Sequence, residues 1–578
     1  MGFGVNPFSN SNDRPEFPGV VVPLSSAPAH SKTSPDPEKK VGAADEKTDN
    51  ASLDRSSSAE NGVGSIQSQE GHLTLEILRA EVENDVSTTG HDSVYDRKSK
   101  VINRAIQDIG MGRYQWELFA LCGFGWLADN LWLQGVALTL PQLSLEFGVD
   151  SNRVRFTTCA LFLGLCIGAT FWGLASDVIG RRPAFNMTLL IAGVFGLASG
   201  GGPNWIGTCG LYACLGLGVG GNMPVDGALF LEFLPFASGN LLTMLSVWWP
   251  VGNLIASLLA WAFIPNYTCP SEGPCTKEEN MGWRYLVITL GALTFAMFIC
   301  RFFLFHLYES PKFLLSRGRQ EDAVTAVQGI AYKNGVTTWL TVDILNEIGG
   351  YPEENTPQNL NNKQIVERYL EKFSLEHIRG LFGTKKLGIT TVLLWFCWAT
   401  IGMGYPLFNA FLPQYLQRSG GESSQPTNIV YRNYAITAVV GLPGSVLACW
   451  TVTLKYVGRK GTMVISALIT GVLLFCFTAS TDPDIQLLCS ALEAFFQNIM
   501  YGVLYAYTPE VFPAPNRGTG SGICSCLNRI AGLCAPIVAI YGGSANPDAP
   551  IYASGGLILA AFVAMCLLPI ETRGMQTL

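Results

Sequence analysis

The sequence predicts an all-α membrane protein, with twelve transmembrane helices in two six-helix bundles preceded by a disordered N-terminal tail. Only 14% of the 578 residues are charged and 48% are hydrophobic, against about 25% charge in an ordinary soluble domain. The mean hydropathy is +0.27. Apolar stretches long enough to cross ~30 Å of hydrocarbon as helices recur along the chain. They come as six, a polar interval, then six more.

Residues 1–98 hold no span. They are rich in Ser, Pro, Asp, Glu, Lys and Asn, as in SNSNDRPEFPG and PAHSKTSPDPEKKVGAADEKTDN, and cannot bury enough apolar surface to offset their ordering entropy. The apolar core of a cleaved signal peptide is missing. Within this tail, LTLEILRAEVEN (73–84) has amphipathic spacing and reads as a transient helix, with docking onto the inner face of the membrane domain as the alternative. The first six spans fall at about 116–140, 156–176, 184–202, 207–231, 241–264 and 284–307, giving a bundle over 112–307. A hydrophilic cytoplasmic loop is expected over 308–387. Six more spans follow at about 388–411, 433–455, 461–480, 486–508, 519–541 and 551–570, giving a second bundle over 388–570 and a short C-terminus, 571–578.

Lys and Arg set the orientation. With the N-terminus inside, the inner loops hold a cluster that includes Arg97, Lys98, Arg181, Arg182, Arg317, Lys385, Arg459 and Arg517. The outer loops hold few, such as Arg153, Arg155, Lys277 and Arg418. Both termini are therefore placed in the cytoplasm. The outer loop between spans 5 and 6 reads IPNYTCPSEGPCTKEENMGW. Asn266, with Tyr267 and Thr268, forms a glycosylation sequon on the side where it is usable. Cys269 and Cys275 share that loop, where oxidation is permitted; the readings are a disulfide or two free thiols. Most other cysteines lie in apolar spans and read as packing residues. No zinc-type cysteine pattern appears, so no metal site is expected. No basic patch with interleaved aromatics points to nucleic acid.

Two charges inside spans are the most informative residues. Asp129 lies in GFGWLADNLWLQGVALTLPQL and Arg529 in SGICSCLNRIAGLCAPIVAI. A charge at mid-bilayer costs roughly 3 kcal/mol on insertion scales and defaults to a functional role. A buried carboxylate can exchange protons near neutrality, and arginine can hold a carboxylate with its planar fork. The competing reading is a static Asp129–Arg529 pair bridging the halves. Glu493 in span 10 is a second candidate acid. Trp126, Gln134, Asn222 and Asn253 are candidates for contacts to a solute, as Asp226 is for a polar contact; each has helix packing or a bond to a neighbouring helix as its alternative.

After span 2 the chain reads GLASDVIGRRP (173–183). Gly173 and Gly180 permit a tight cytoplasmic turn. Asp177 can take a charged hydrogen bond from an arginine across the loop, beside a helix N-terminus. This resembles the signature of the major facilitator superfamily, G-x-x-x-D-x-x-G-R-[RK], carried here by Gly173, Asp177, Gly180, Arg181 and Arg182. After span 8, LKYVGRKG (454–461) matches at Gly458, Arg459 and Lys460 but has Lys455 at the acidic position. Span 4 carries the Gly-rich run GLGVGGNMPVDGALFLEFLP (216–235), with Tyr212 where sugar porters have an arginine. The motif E-x-x-P-x-x-x-R-G keeps Glu232 and Pro235 after span 4, with Gly239 and Asn240 in place of its end. It is intact after span 10 as Glu510, Pro513, Arg517 and Gly518. YESPKFLLSRGR (308–319) and the terminal PIETRG (569–574) are similar to further signatures of the superfamily. Residues 112–132 resemble its synaptic-vesicle-protein-like and organic-ion branch. The D-G-x-D of the aromatic-acid carriers is absent, since Asn130, Leu131 and Trp132 follow Asp129.

The resemblance implies a secondary transporter working by alternating access between two halves, with the site at mid-membrane. It implies that Asp129 is a proton-coupling carboxylate and Arg529 a clamp for a substrate anion. It implies a latch that forms and breaks around Arg181, Arg182, Glu232, Arg459, Glu510 and Arg517. The expected function is proton-coupled movement of a small organic solute bearing a carboxylate. The alternatives are a proton-antiport efflux pump for a hydrophobic metabolite, a sugar-porter-like carrier, and a non-transporting membrane receptor. No enzyme activity and no cofactor is expected, and no nucleotide-binding G-x-x-x-x-G-K-[ST] is present. The expected partners are a small organic solute, protons and the lipid bilayer, with the protein as a monomer. The plasma membrane is the expected address and an organellar membrane the alternative.

Overall fold

The computed structural model describes residues 17–26, 73–89, 94–235, 241, 244–269, 275–351, 379–418, 426–452, 454, 457–512, 517–543, 546 and 548–572. Two helices outside the predicted spans come first, α1 (Leu75–Thr89) and α2 (Val94–Ile109). The first six long helices are α3 (Arg113–Phe147), α4 (Phe156–Ile179), α5 (Arg181–Ser199), α6 (Trp205–Phe233), α7 (Trp248–Phe263) and α8 (Gly282–Ile299). Three short helices follow, α9 (Pro311–Ser316), α10 (Gln320–Asn334) and α11 (Val342–Gly349). The second half holds α12 (Lys385–Asn409), a short α13 (Leu412–Arg418), α14 (Thr427–Thr451), α15 (Gly458–Ala479), α16 (Pro483–Val511), α17 (Arg517–Gly543) and α18 (Ala549–Cys566).

Ten of these helices, some with a flanking turn, are long and apolar enough to cross a membrane by length and composition alone. The other two long helices complete two sets of six: α3 is interrupted by Asp129, and α5 opens on Arg181 and Arg182. Polar side chains start several helices by accepting orphan backbone N–H groups. Asn204 caps α6 through Gly207 N (2.7 Å), and Thr384 caps α12 through Leu387 N (3.2 Å).

The packing repeats between the halves. In the first, α4 packs on α6, α5 on α6 and α8, and α3 on α7. In the second, the corresponding pairs are α14 on α16, α15 on α16 and α18, and α12 on α17. The halves meet through α7 with α14 and α4 with α17, so the seam is itself two-fold in pattern. Helix approach in lipid depends on small residues, because lipid tails are as apolar as leucine. The α4–α6 contact shows this. A methyl at Gly164 would overlap the carbonyl of Ala213, and one at Gly216 or Gly220 would overlap those of Leu161 or Leu165.

The cytoplasmic face differs from the expectation in two places. The interval 308–387 carries α9, α10 and α11 rather than loop alone, while 352–378 lies outside the described residues. In the tail, residues 17–26 and 73–89 are docked. Val22 N donates to Thr338 O (3.1 Å) and Thr338 N to Val20 O (2.9 Å), and the rings of Phe17 and Tyr332 lie 5.4 Å apart. Leu78 and Val82 on α1 are buried with Val101, Ile102 and Ile106 on α2. That shared apolar surface is what composition alone averages away. Lys98 ties α2 to α10 and α11 by donating to Gln320 Oε1 (2.9 Å) and Asn346 Oδ1 (2.8 Å). Burial lowers its ammonium below the ordinary lysine value. Residues 1–16, 27–72 and 90–93, for which disorder is expected, lie outside the described residues.

Candidate functional site

Asp129 and Arg529 face the seam between the halves. Asp129 sits near the middle of the long α3, 7% exposed. Among the described residues its carboxylate has no hydrogen bond and no ion pair within 4 Å. Arg529 is the charged group that acts on it. Arg529 projects from α17 to the other half, where it donates to the carbonyls of Leu165 on α4 (3.5 Å) and Gly220 on α6 (3.4 Å). Those bonds are long, and no carboxylate of the described residues neutralises the guanidinium. The static Asp129–Arg529 pair is therefore not formed here.

Aromatic rings from both halves pack beside Asp129. Trp126 stacks on Trp249 of α7, with centroids 4.7 Å apart. Tyr505 of α16 meets Trp249 at 4.7 Å and Trp398 of α12 at 4.6 Å. Trp126 Nε1 has no acceptor. A polar cavity of about 30 Å³ lies in the seam, lined by Gln134, Asn253, Tyr405, Asn409, Tyr434 and Gln497 among others. That volume holds roughly one water. Asn253 Oδ1 and both amide atoms of Asn222 on α6 are buried without partners. Gln134 faces the Tyr434 hydroxyl, and the Glu493 carboxyl on α16 has the Asn409 amide beside it. Unpaired polar groups buried in a dry helix bundle are costly. Tyr212, at the family's arginine position, instead meets the hydroxyl of Thr139 (3.4 Å) in the core.

The signature motifs form a pair within each half. Arg181 Nε meets Glu232 Oε1 at 3.3 Å, and Arg459 Nη2 meets Glu510 Oε1 at 2.5 Å. Gly180 takes a φ of 108° and Gly458 a φ of 61°, conformations that favour glycine. Gly173, expected in the turn, lies inside α4. The side chains of Asp177 and Arg517 lie outside the described residues. At each turn a distant glutamate caps the next helix. Glu309 of YESP accepts from the backbone N–H of Arg181 (2.9 Å) and Arg182 (3.2 Å). Glu571 of PIETRG accepts from Arg459 and Lys460, both at 3.1 Å. Helix N-termini favour such anions. Burial raises the Glu309 carboxyl above its usual range, while the N–H groups of Ser310, Arg182 and Arg181 pull it back down.

Three arginines carry geometry that sequence reading did not assign. Arg155, expected in an outer loop, is fully buried where the outer ends of the halves meet. It donates to Gln414 Oε1 (3.0 Å) and Ala539 O (2.8 Å) and lies 4.8 Å from the Phe411 ring centroid. Where α14 meets α3 and α7, Tyr431 OH donates to Leu138 O (2.8 Å) and Trp261 Nε1 to Asn428 Oδ1 (2.7 Å). These bonds join the two halves on the outer side. Arg284 pairs with Glu146 at 2.5 Å, and Trp283 Nε1 donates to the same carboxylate (2.7 Å). Arg301 pairs with Asp226 at 2.6 Å, both side chains 0% exposed. This assigns Asp226 a structural partner in the π-helical turn Cys300–Leu304 that follows α8. The signal was present in sequence: an acid inside span 4 needs a base, and the end of span 6 supplies one.

On the outer side Cys269 and Cys275 are bonded, with Cα atoms 5.5 Å apart. Asn266 is exposed, with Nδ2 donating to Ala262 O (2.8 Å), while the Thr268 hydroxyl donates to Gln142 Oε1 (2.6 Å). An impermeant maleimide added to sealed cells is expected to label neither Cys269 nor Cys275 until a reductant is supplied. Labelling of these cysteines only after permeabilisation would invert the topology.

The profile of the Major Facilitator Superfamily matches residues 120–452 and 433–577. The siderochrome iron transporter 1 of Ceriporiopsis subvermispora is 46% identical over 492 residues, spanning 84% of this chain and 93% of that protein. The synaptic vesicle 2-related protein of Xenopus laevis is 27% identical over 533 residues, 88% of each chain. Its similarity fits the branch that residues 112–132 resemble. Among solved structures, the inward-open xylose transporter XylE from E. coli has a TM-score of 0.58, covering 80% of this chain and 98% of that one. At 18% identity this is a likeness of fold. With two repeated six-helix halves meeting at a polar seam and a family profile running through both, this multi-pass membrane chain belongs to the transporters of the major facilitator superfamily.

Proposed function

We propose that this transporter moves a small organic carboxylate through the seam by alternating access, coupled to protonation of Asp129. The observation that carries this reading is Arg529, which crosses the seam to two backbone carbonyls at 3.4 and 3.5 Å. A guanidinium held only by weak neutral acceptors is available to a stronger one. A carboxylate offers two oxygens in the plane of the fork. Asp129 lies close enough to feel that charge yet is unpaired. Proton binding at Asp129 and anion binding at Arg529 therefore act on one electrostatic site. The bonds through Arg155 and Tyr431 would hold the outer side shut in this state and break when the halves rock.

The 46% identical relative is named for siderochrome iron. A chelate that displays carboxylates would meet the same arginine, so such chelates belong among the cargo to be tried. The plasma membrane is the proposed location.

Arg529→Lys keeps the charge but loses the planar fork. Losing one charged hydrogen bond costs about 1.5–3 kcal/mol, or roughly ten- to a hundredfold in affinity. Binding of a carboxylate cargo is expected to weaken by that factor, while its amide analogue loses little further. Equal losses for the two ligands, or none, would favour a neutral or cationic cargo.

A further inference from the structure

We propose that Glu493 is a second proton-carrying carboxyl, set in the C-terminal half as Asp129 is in the N-terminal half. This deepens the reading of Asp129 as a coupling acid and rests on it. Glu493 lies about three turns into α16 and is 1% exposed. Neither carboxyl oxygen meets a donor in full hydrogen-bond geometry. The nearest donor is the Asn409 amide, which acts on the carboxyl while its Nδ2 donates to Gln497 Oε1 (2.9 Å).

Unlike Asp226 and Glu146, Glu493 has no base to answer it. Among the described residues, no Lys or Arg lies within ion-pair distance. The groups facing it from neighbouring helices are the phenols of Tyr405 on α12 and Tyr434 on α14. The described basic side chains on the helices packed against α16 are engaged elsewhere. Arg432 bonds Asn433, Arg459 bonds Glu510, Lys460 bonds Leu568 O, and Arg529 bonds the carbonyls of α4 and α6. A lone buried charge is expensive, and a proton is the smallest ligand that removes it. A metal cation would ask for several oxygen ligands. No group of three or more His, Cys, Asp or Glu gathers among the described residues, and the nearby amides of Asn409 and Gln497 bond each other.

Polar neighbours of Glu493 also reach the seam cavity. Gln497, one turn from Glu493, and Asn409 line the seam cavity, which has room for about one water. The Tyr405 hydroxyl lies within electrostatic reach of both Glu493 and Asp129.

The test uses the purified full chain in lipid nanodiscs with no solute added. Infrared difference spectra between acidic and alkaline buffer report the carbonyl stretch of protonated carboxyls. Wild type is expected to lose two buried-carboxyl components as pH rises. Glu493→Gln should lack one of them, and Asp129→Asn the other. Glu493→Asp should keep both, with one band moved, and it also serves if Glu493→Gln does not survive purification. A Glu493→Gln or Glu493→Asp difference spectrum that superimposes on wild type would overturn the proposal. If Asp129→Asn superimposes while Glu493→Gln loses a band, the Glu493 site stands and the proton role of Asp129 falls.

Discussion

Arg301→Ala is expected to lose about 3–5 kcal/mol of stability, the cost of leaving a buried charge without its partner. Arg301 is held from several directions. Its Nη2 donates to Asp226 Oδ2 (2.6 Å), Nε to Leu121 O (2.9 Å) and Nη1 to Phe185 O (2.9 Å). The guanidinium carbon lies 3.7 Å from the Phe185 ring centroid. Gly125 leaves the space, since a methyl there would overlap Asp226 Oδ2. The pair thus ties α3, α5, α6 and the turn after α8 together. Truncation strands Asp226 among apolar helices and frees two carbonyl acceptors. Replacing both partners, as in Asp226→Leu with Arg301→Met, should be much milder, because no charge is left stranded. Thermal melting and size-exclusion profiles in detergent check both variants. A melting temperature for Arg301→Ala equal to wild type would show that the pair contributes nothing.

The same pair shows what sequence reading reached and what it passed over. The spans were legible because hydropathy is a sum over about twenty residues, and the bilayer admits few alternatives to a helix. Asp129 stood out as a lone acid between two tryptophans. Arg301, in FICRFFLFHLYE, lies close enough to a span end to pass for a positive-inside residue. Its role depends on Asp226, distant in the chain and adjacent only in the fold. Arg155 followed the same course: one position before α4, it reads as loop until α17 and Gln414 close over it. Glu493 was legible as a charge in a span. That it has no basic partner among the described residues was not, because partnership is a property of neighbouring helices. In the tail, docking of α1 is the second of two readings and that of residues 17–26 goes unread, for a related reason. Val20, Leu78 and Val82 are sparse in a polar stretch, and α2, α10 and α11 supply the surface that gathers them.

Asp129→Asn carries the second large effect. The replacement is isosteric and strands no partner, because the carboxylate makes no ion pair within 4 Å among the described residues. Folding should therefore be retained, separating this variant from Arg301→Ala. What it removes is the proton. Each unit of pH difference across a membrane is worth about 1.4 kcal/mol per coupled proton, or roughly tenfold in accumulation. Without a titrating group at that position, the share of the driving force that enters through Asp129 is lost. Binding at Arg529 and the rocking of the halves need no such group, so exchange of solute for solute should persist.

The decisive measurement is accumulation of a radiolabelled carboxylate cargo in proteoliposomes, with and without an imposed pH gradient, for wild type and Asp129→Asn side by side. Wild type should accumulate the solute when the gradient is imposed. The variant should show a much smaller gradient response while still exchanging internal for external solute. A gradient response in Asp129→Asn equal to that of wild type would contradict the assignment of Asp129 as the coupling carboxylate.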